Sequence, residues 1–289
     1  MKIAIVGAPE RAVAWENHLS PHRSVNEIII TPEIKVISDT DACLIINDHL
    51  NELDQALEAV RLGWHVFLIA PLPTDTSQIR KLARYAEESG SIVQLTHWPT
   101  FSQAGHWMMN QMSKPALLDI TRHLTPFEFN QMDSTLRNLW IDELAFCLRW
   151  IDSGIRHLDA NIVTAGDGKS ARFVLFIRFN NGATASLQIS NTATKNIHLR
   201  SAATTNTNTN MVMTCDVDDQ NIRIGTSSQS DNSIIFDNKQ FNPARSAEVA
   251  VTHFLKALQM QKEAIYNPHH AYQLCTIVDQ VDKTLRNVR

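Results

Sequence analysis

Three places in the chain carry residue types that chemistry could use. The first is Gly7-Ala8-Pro9-Glu10-Arg11-Ala12, directly after the apolar run Lys2 to Val6. A strand that enters a glycine turn and then a helix is a seat for a dinucleotide pyrophosphate. Three glycines there serve a tight turn, a close backbone approach and helix–strand packing. Only the first, Gly7, is present, with Ala12 in the third position. Pro9 removes an amide donor and adds a ring where the backbone must approach phosphate. Glu10 adds a negative charge, and like charges in contact repel by on the order of 1 kcal/mol even in water. Arg11 offsets it, so Gly7, Ala8, Pro9 and Arg11 remain candidate contacts for NAD or NADP. An acidic residue that holds the ribose lies after the second strand, which here ends Ile30-Thr31-Pro32-Glu33, with Glu33 as its possible carboxylate.

The second place is His97, at the end of an apolar run from Ser91 to Thr96. Ligands of open α/β sheets bind at the carboxyl ends of strands, so His97 is a candidate ligand contact or proton acceptor. His106 and Trp107 follow on a helix and could line the same cleft, although such residues at helical spacing are more often core. The third is the pair Asp142-Glu143 in IDELAFCLRWI, read as a helix over 141–151. An acidic pair in a first turn favours the helix dipole; Glu143 is also a candidate proton acceptor. His269-His270 has no partner at metal-ligand spacing, and no metal is expected.

The elements that must position these residues alternate. Apolar runs at 2–6, 27–31, 41–46, 65–69 and 91–96 are separated by helical patterns at 10–20, 53–62 and 74–89, the last ending at Gly90. This is the signature of a doubly wound parallel sheet. After about Thr100 the pattern changes to helices at 104–112 and 141–151, then extended segments at 171–179, 183–190, 196–201, 211–216 and 221–225. Asn180-Asn181-Gly182 predicts a tight hairpin. TTNTNTN at 204–210 reads as a loop or exposed strand. Closing helices fall near 245–260 and 268–286. The fold class is α/β: a Rossmann-type parallel sheet over 1–101, then an α+β domain over 102–289 with a large, mainly antiparallel sheet. The closing helix is expected to pack back on the first domain. In the strand 171–179, Phe173, Leu175, Ile177 and Phe179 share one face, and Val174 and Phe176 the other. Apolar residues on both faces predict that both are covered, one by a partner in a homodimer or homotetramer.

Composition excludes several classes. The net charge of −4 argues against a nucleic-acid surface. No stretch approaches the roughly 20 apolar residues of a membrane span. The N-terminal apolar run is short and reads as a strand, which makes the cytoplasm the default location. Cys43, Cys147, Cys215 and Cys275 are widely spaced and read as single buried thiols.

Several stretches together resemble the Gfo/Idh/MocA oxidoreductase family (relatives of glucose–fructose oxidoreductase and inositol dehydrogenase). They are DACLIIND from Asp41, HLNELDQALEAVRLGWHVFLIAPLP from His49, SIVQLTHWPTF from Ser91, IRFNNGATASLQIS from Ile177, and the tail from Glu248 to Arg286. The resemblance implies the two-domain fold and an NAD(P)-dependent oxidoreductase of sugars or polyols. It also implies where the chemistry is missing. The family's Glu-Lys-Pro, whose lysine is catalytic, is here Ile69-Ala70-Pro71. Its nicotinamide-side Thr-Pro is Asn47-Asp48, and Thr31 stands at the ribose aspartate position. Its Gly-His-x-x-Arg-Phe retains His97 and Phe101 but has Thr96 and Thr100. Counting back from Leu148-Arg149-Trp150 puts Glu143 at the family's catalytic histidine and Leu139 at its aspartate. Asn47 and Pro71 join the candidate cofactor contacts. The expectation is a member with degenerate motifs, non-catalytic or ligand-binding. An active enzyme using His97 or Glu143 and a structural dimeric scaffold are the alternatives.

Overall fold

The computed structural model describes residues 1–34, 39–46, 52–70, 75–96, 101–132, 135–165, 171–205, 209–228, 234–242 and 245–287. The chain divides into two compact units, 1–98 with 246–276 and 99–245 with 277–289.

The first unit is built on five parallel strands: β1 (Lys2–Val6), β2 (Glu27–Thr31), β3 (Ala42–Ile46), β4 (His65–Ile69) and β5 (Val93–Leu95), in the order β2-β1-β3-β4-β5. Strands covered on both faces read as unbroken apolar runs, and β1, β3 and β4 do. Cys43, Ile45, Val66 and Leu68 pack with residues of α2 (Glu52–Arg61) and α3 (Thr76–Ser89) and with Ala271 and Cys275. On the other face Phe67 meets Trp15 of α1 (Pro9–Leu19) and Phe254, with ring centroids 5.9 and 5.5 Å apart. The α3 helix is set by its ends. Asp75 accepts hydrogen bonds from the Ser77 and Gln78 amides, and Gly90 takes the left-handed conformation at φ 69° that stops it.

The second unit holds α4 (Gln103–Gln111), β6 (Leu117–His123), α5 (Pro126–Gln131), α6 (Leu136–Ile151), β7 (Ile155–Thr164), β8 (Ala171–Phe179), β9 (Thr184–Ser190), β10 (Ile197–Thr205), β11 (Thr209–Asp216), β12 (Asn221–Ser228) and β13 (Ile234–Gln240). Two further helices, α7 (Ser246–Met260) and α8 (Pro268–Asn287), complete the chain. The sheet order is β13-β12-β11-β10-β6-β9-β8-β7. Every pairing is antiparallel except β6 with β9, which is parallel. One face buries Ile120, Leu187, Phe173, Leu175 and Ile177. Trp140 of α6 stacks on Phe173 there, centroids 5.0 Å apart. The other face carries Val174 (37% exposed), Phe176 (42%) and Val163 (67%).

Some elements went unread in the sequence. The strands β6, β7 and β13 and the helix α5 were not read from the sequence. Of the TTNTNTN tract, read as a loop or exposed strand, Thr204 and Thr205 end β10 and Thr209 and Asn210 begin β11, while 206–208 lie outside the described residues. The hairpin expected at Asn180-Asn181-Gly182 is present between β8 and β9. The Gly182 amide donates to the Phe179 carbonyl, Phe179 and Ala183 close the ladder, and among its residues only Gly182 has a positive φ, 88°. That is a three-residue loop with glycine at its left-handed position.

Candidate functional site

The carboxyl edge of the parallel sheet gathers Gly7, Thr31, Ala70 and Thr96. His97, Asn47 and Pro71 lie outside the described residues. Gly7 has φ 149°, a conformation that strains any side chain, and its amide donates to the Thr31 carbonyl at 3.0 Å. Pro9 opens α1, where its fixed φ suits a helix start. The price is a lost donor: Pro9 has no N–H, and the Arg11 and Ala12 amides both turn back onto the Ala8 carbonyl, at 3.1 and 3.0 Å. Glu10 stands exposed in the first turn. Thr31 is buried, and its hydroxyl donates to the Glu33 carbonyl at 3.0 Å. A ribose diol therefore meets no carboxylate at Thr31. Ala70 packs its methyl group against the core. These residues fit a dinucleotide poorly, since one amide is missing, a negative charge stands at the helix mouth and the ribose acceptor is a committed hydroxyl.

The charged residues of the second unit are organised differently. Thr135 caps α6 by accepting from the Asn138 amide, so the helix begins at Leu136. Asp142 and Glu143 therefore sit in its middle, not in its first turn, which corrects the dipole reading. Leu139, Trp140 and Ile141 extend the apolar face toward the N-terminus and carry the helix past the boundary read from the sequence.

Glu143 is fully buried and lies among cations. Its Oε2 accepts from Arg200 Nε at 3.0 Å, and its Oε1 lies 2.8 Å from His198 Nε2. Arg122 Nη1 stands 3.6 Å from Glu143 and 3.8 Å from Asp142. Arg200, also fully buried, lies with its guanidinium carbon 3.9 Å from the Phe146 ring centroid. On its far side, a Cβ on Gly105 of α4 would stand 3.1 Å from Arg200 Nη1, so the helix is bare where the guanidinium passes. Burial alone would raise the Glu143 carboxyl, but Arg200, then His198 and Arg122, hold it far below the usual carboxylate range. Asp142, with a side chain one-quarter exposed, goes the other way. Burial pushes it up to about 7 despite Arg122, and the Glu143 charge adds to the rise.

This arrangement decides what Glu143 can do. Both oxygens are held by the Arg200 guanidinium, one of them also by His198 Nε2, and the group stays ionised at neutral pH. A general base must take up a proton in the transition state, so its pKa has to lie near the working pH. Glu143 is built as a counter-ion. The residues that make it so were missed in the sequence. The strand registers bring them together: Leu118, Ile120 and Arg122 share one buried face of β6, as His198, Arg200 and Ala202 do in β10. His106 is buried, stacked on Phe101 at 6.0 Å. His269 Nε2 meets Glu87 at 2.8 Å.

The fold is that of two-domain sugar dehydrogenases. The chain superposes on UDP-N-acetylglucosamine 3-dehydrogenase GnnA from Acidithiobacillus ferrooxidans with a TM-score of 0.82 and 14% identity, covering 99% of this chain and 97% of that one. A dehydrogenase from Chromobacterium violaceum gives 0.79 and 12%, over 100% and 96% of the two chains. Levoglucosan dehydrogenase, in complex with NADH and L-sorbose, gives 0.74 and 11%, over 99% and 97%. These neighbours are dehydrogenases of the Gfo/Idh/MocA type, and at such identities the likeness is one of fold. No protein-family model matches the chain, and no curated protein matches it by sequence. No helix among the described residues is long and apolar enough to cross a membrane.

Proposed function

We propose that this protein keeps the oxidoreductase framework without its hydride-transfer chemistry and acts in the cytoplasm as a ligand-binding or assembly protein. The observation that carries the reading is the state of Glu143. It stands at the helix position that the resemblance assigns to a catalytic histidine, yet it is buried, ionised and held by Arg200 and His198. Ala70, at the lysine position, supplies no titratable group. The Pro9, Glu10 and Thr31 features weaken a dinucleotide seat further. Four free, widely spaced cysteines suit a reducing compartment.

The test is a thermal-shift titration with NAD, NADP, NADH and NADPH, joined to turnover assays on sugars and polyols. A seated ligand at 100 times its dissociation constant adds about 2.7 kcal/mol of stability. The expected result is no turnover and a small shift or none. Oxidation of any sugar or polyol coupled to dinucleotide reduction would overturn the reading.

The open face of the second unit's sheet supports a homodimer or homotetramer. Val163, Val174, Phe176, Val212 and Phe236 are all more than a third exposed, and the strand registers put them on one face. Arg172 and Arg178 share that face with Asp119 and Asp159, so it carries both charge signs for self-association. Size-exclusion chromatography with light scattering is expected to give a dimer or tetramer at micromolar concentration. A stable monomer would defeat the assembly reading.

A further inference from the structure

Two cavities run along α3 in the first unit, and neither is lined by Gly7, Thr31, Ala70 or the groups around Glu143. The larger, of about 600 Å³, is lined by Ser77, Arg80, Lys81, Arg84, His269 and Tyr272 among others. The smaller, of about 240 Å³, shares Ala83, Glu87 and His269 with it. The contact of His269 Nε2 with Glu87 Oε1, at 2.8 Å, therefore stands at the boundary of the two.

The charge on this wall is unbalanced. Arg80, Lys81 and Arg84 fall within little more than one helical turn, in a chain whose net charge is −4. Residues three and four apart on a helix are neighbours, and like charges there cost about 0.2–0.5 kcal/mol a pair. The nearby carboxylates are already engaged. Glu87 holds His269, and Glu88 lies 3.4 Å from Arg84 Nε. Asp75 accepts from the Ser77 amide and hydroxyl and from the Gln78 amide. Tyr85 is occupied too: Arg61 donates to its hydroxyl at 3.2 Å, and Arg84 and Lys81 lie 5.2 and 5.7 Å from its ring centroid. Among the described residues no carboxylate pairs with Arg80 or Lys81. Two cations with no carboxylate partner among the described residues therefore line an open groove on the surface of α3, beside Glu87, His269 and Tyr272. A planar guanidinium and a compact ammonium together suit a phosphate dianion, which accepts from several donors at once. Tyr272, exposed on the same groove, offers a ring and a hydroxyl to whatever the phosphate carries.

We propose that this surface groove binds the phosphate monoester of a small polar molecule. Arg80 and Lys81 hold the phosphate, and Tyr272 contacts the remainder. The site is independent of the dinucleotide seat, so it stands or falls apart from the reading above.

The experiment is a thermal-shift titration of the full chain with inorganic phosphate, ribose 5-phosphate and ribose at constant ionic strength. The expected result is a saturating rise in Tm of about 2–4 °C with both phosphates and none with ribose. The rise disappears in Arg80→Ala/Lys81→Ala and persists in Arg23→Ala/Lys195→Ala, which removes two exposed cations elsewhere. Both pairs lie on exposed surface, so folding of each variant is checked by its Tm without ligand. A rise that does not saturate, or one that survives in Arg80→Ala/Lys81→Ala, overturns the proposal, because the anion is then acting as bulk salt or binding elsewhere. No rise with either phosphate also overturns it.

Discussion

Replacing Glu143 with glutamine tests the central physical claim. The side chain keeps its shape and loses its charge. Arg200, fully buried, then faces no carboxylate charge, and because glutamine keeps only one acceptor oxygen, its NH2 must stand against either Arg200 Nε or His198 Nε2. Removing one partner of a buried pair typically costs about 3–5 kcal/mol, because the charge left behind has no water to turn to. In a protein whose whole stability is about 5–15 kcal/mol, that is a large fraction. At about 2–4 °C per kcal/mol for a domain of this size, Tm falls by roughly 6–20 °C. Urea unfolding followed by tryptophan fluorescence is the assay, since Trp140 and Trp150 are buried on the same helix. The double variant Glu143→Leu/Arg200→Met removes both charges and is expected to recover much of the loss, since apolar replacements of buried pairs are often neutral. A loss below about 1 kcal/mol in Glu143→Gln would refute the reasoning, as would a double variant no more stable than the single one. If Glu143 were instead a proton acceptor, Glu143→Gln would abolish a turnover and leave Tm almost unchanged.

Two further outcomes follow from the same cluster. Asp142 titrates in the folded protein near 7, raised from about 3.8, so between roughly pH 4 and 7 the folded state holds more protons than the unfolded one. Its contribution to stability therefore falls as pH rises through that window. The stability of Asp142→Asn relative to the parent should grow from pH 4 to 7 and level off above, and a pH-independent difference would contradict this. Glu143, with a depressed carboxyl, acts in the opposite sense: its contribution is present above its unfolded pKa and is lost on acidification. Gly105→Ala should destabilise by about 1–3 kcal/mol, because the added Cβ stands 2.6 Å from Ser102 Oγ and 3.1 Å from Arg200 Nη1. Alanine in a helix is otherwise worth about 0.8–1 kcal/mol over glycine, so a stabilised variant in urea unfolding would show that Arg200 is not confined there.

The parallel sheet was legible because burial on both faces leaves a one-dimensional mark: IAIV, ACLII and VFLI are apolar runs that a sheet covered on both faces explains. The strands β6 and β13 left no such mark. LLDITRH carries an arginine on its buried face, and IIFDNKQ is an edge strand with Ile234, Ile235 and Phe236 all exposed, so neither shows a clean alternation. The charged cluster was illegible for a related reason. A buried arginine looks like a surface residue until its counter-ion is known, and that counter-ion lies 57 residues away for Arg200 and 55 for His198. The same point bears on function. In sequence, Asp142 and Glu143 are interchangeable acids on one helix. In the fold, one step of rotation puts Glu143 among two guanidiniums and an imidazole and leaves Asp142 at the margin of the cluster. The two carboxyls shift in opposite directions for that reason alone. A charged residue inherited at a catalytic position is therefore judged by the partners that hold its charge, and those of Glu143 leave it no proton to exchange at neutral pH.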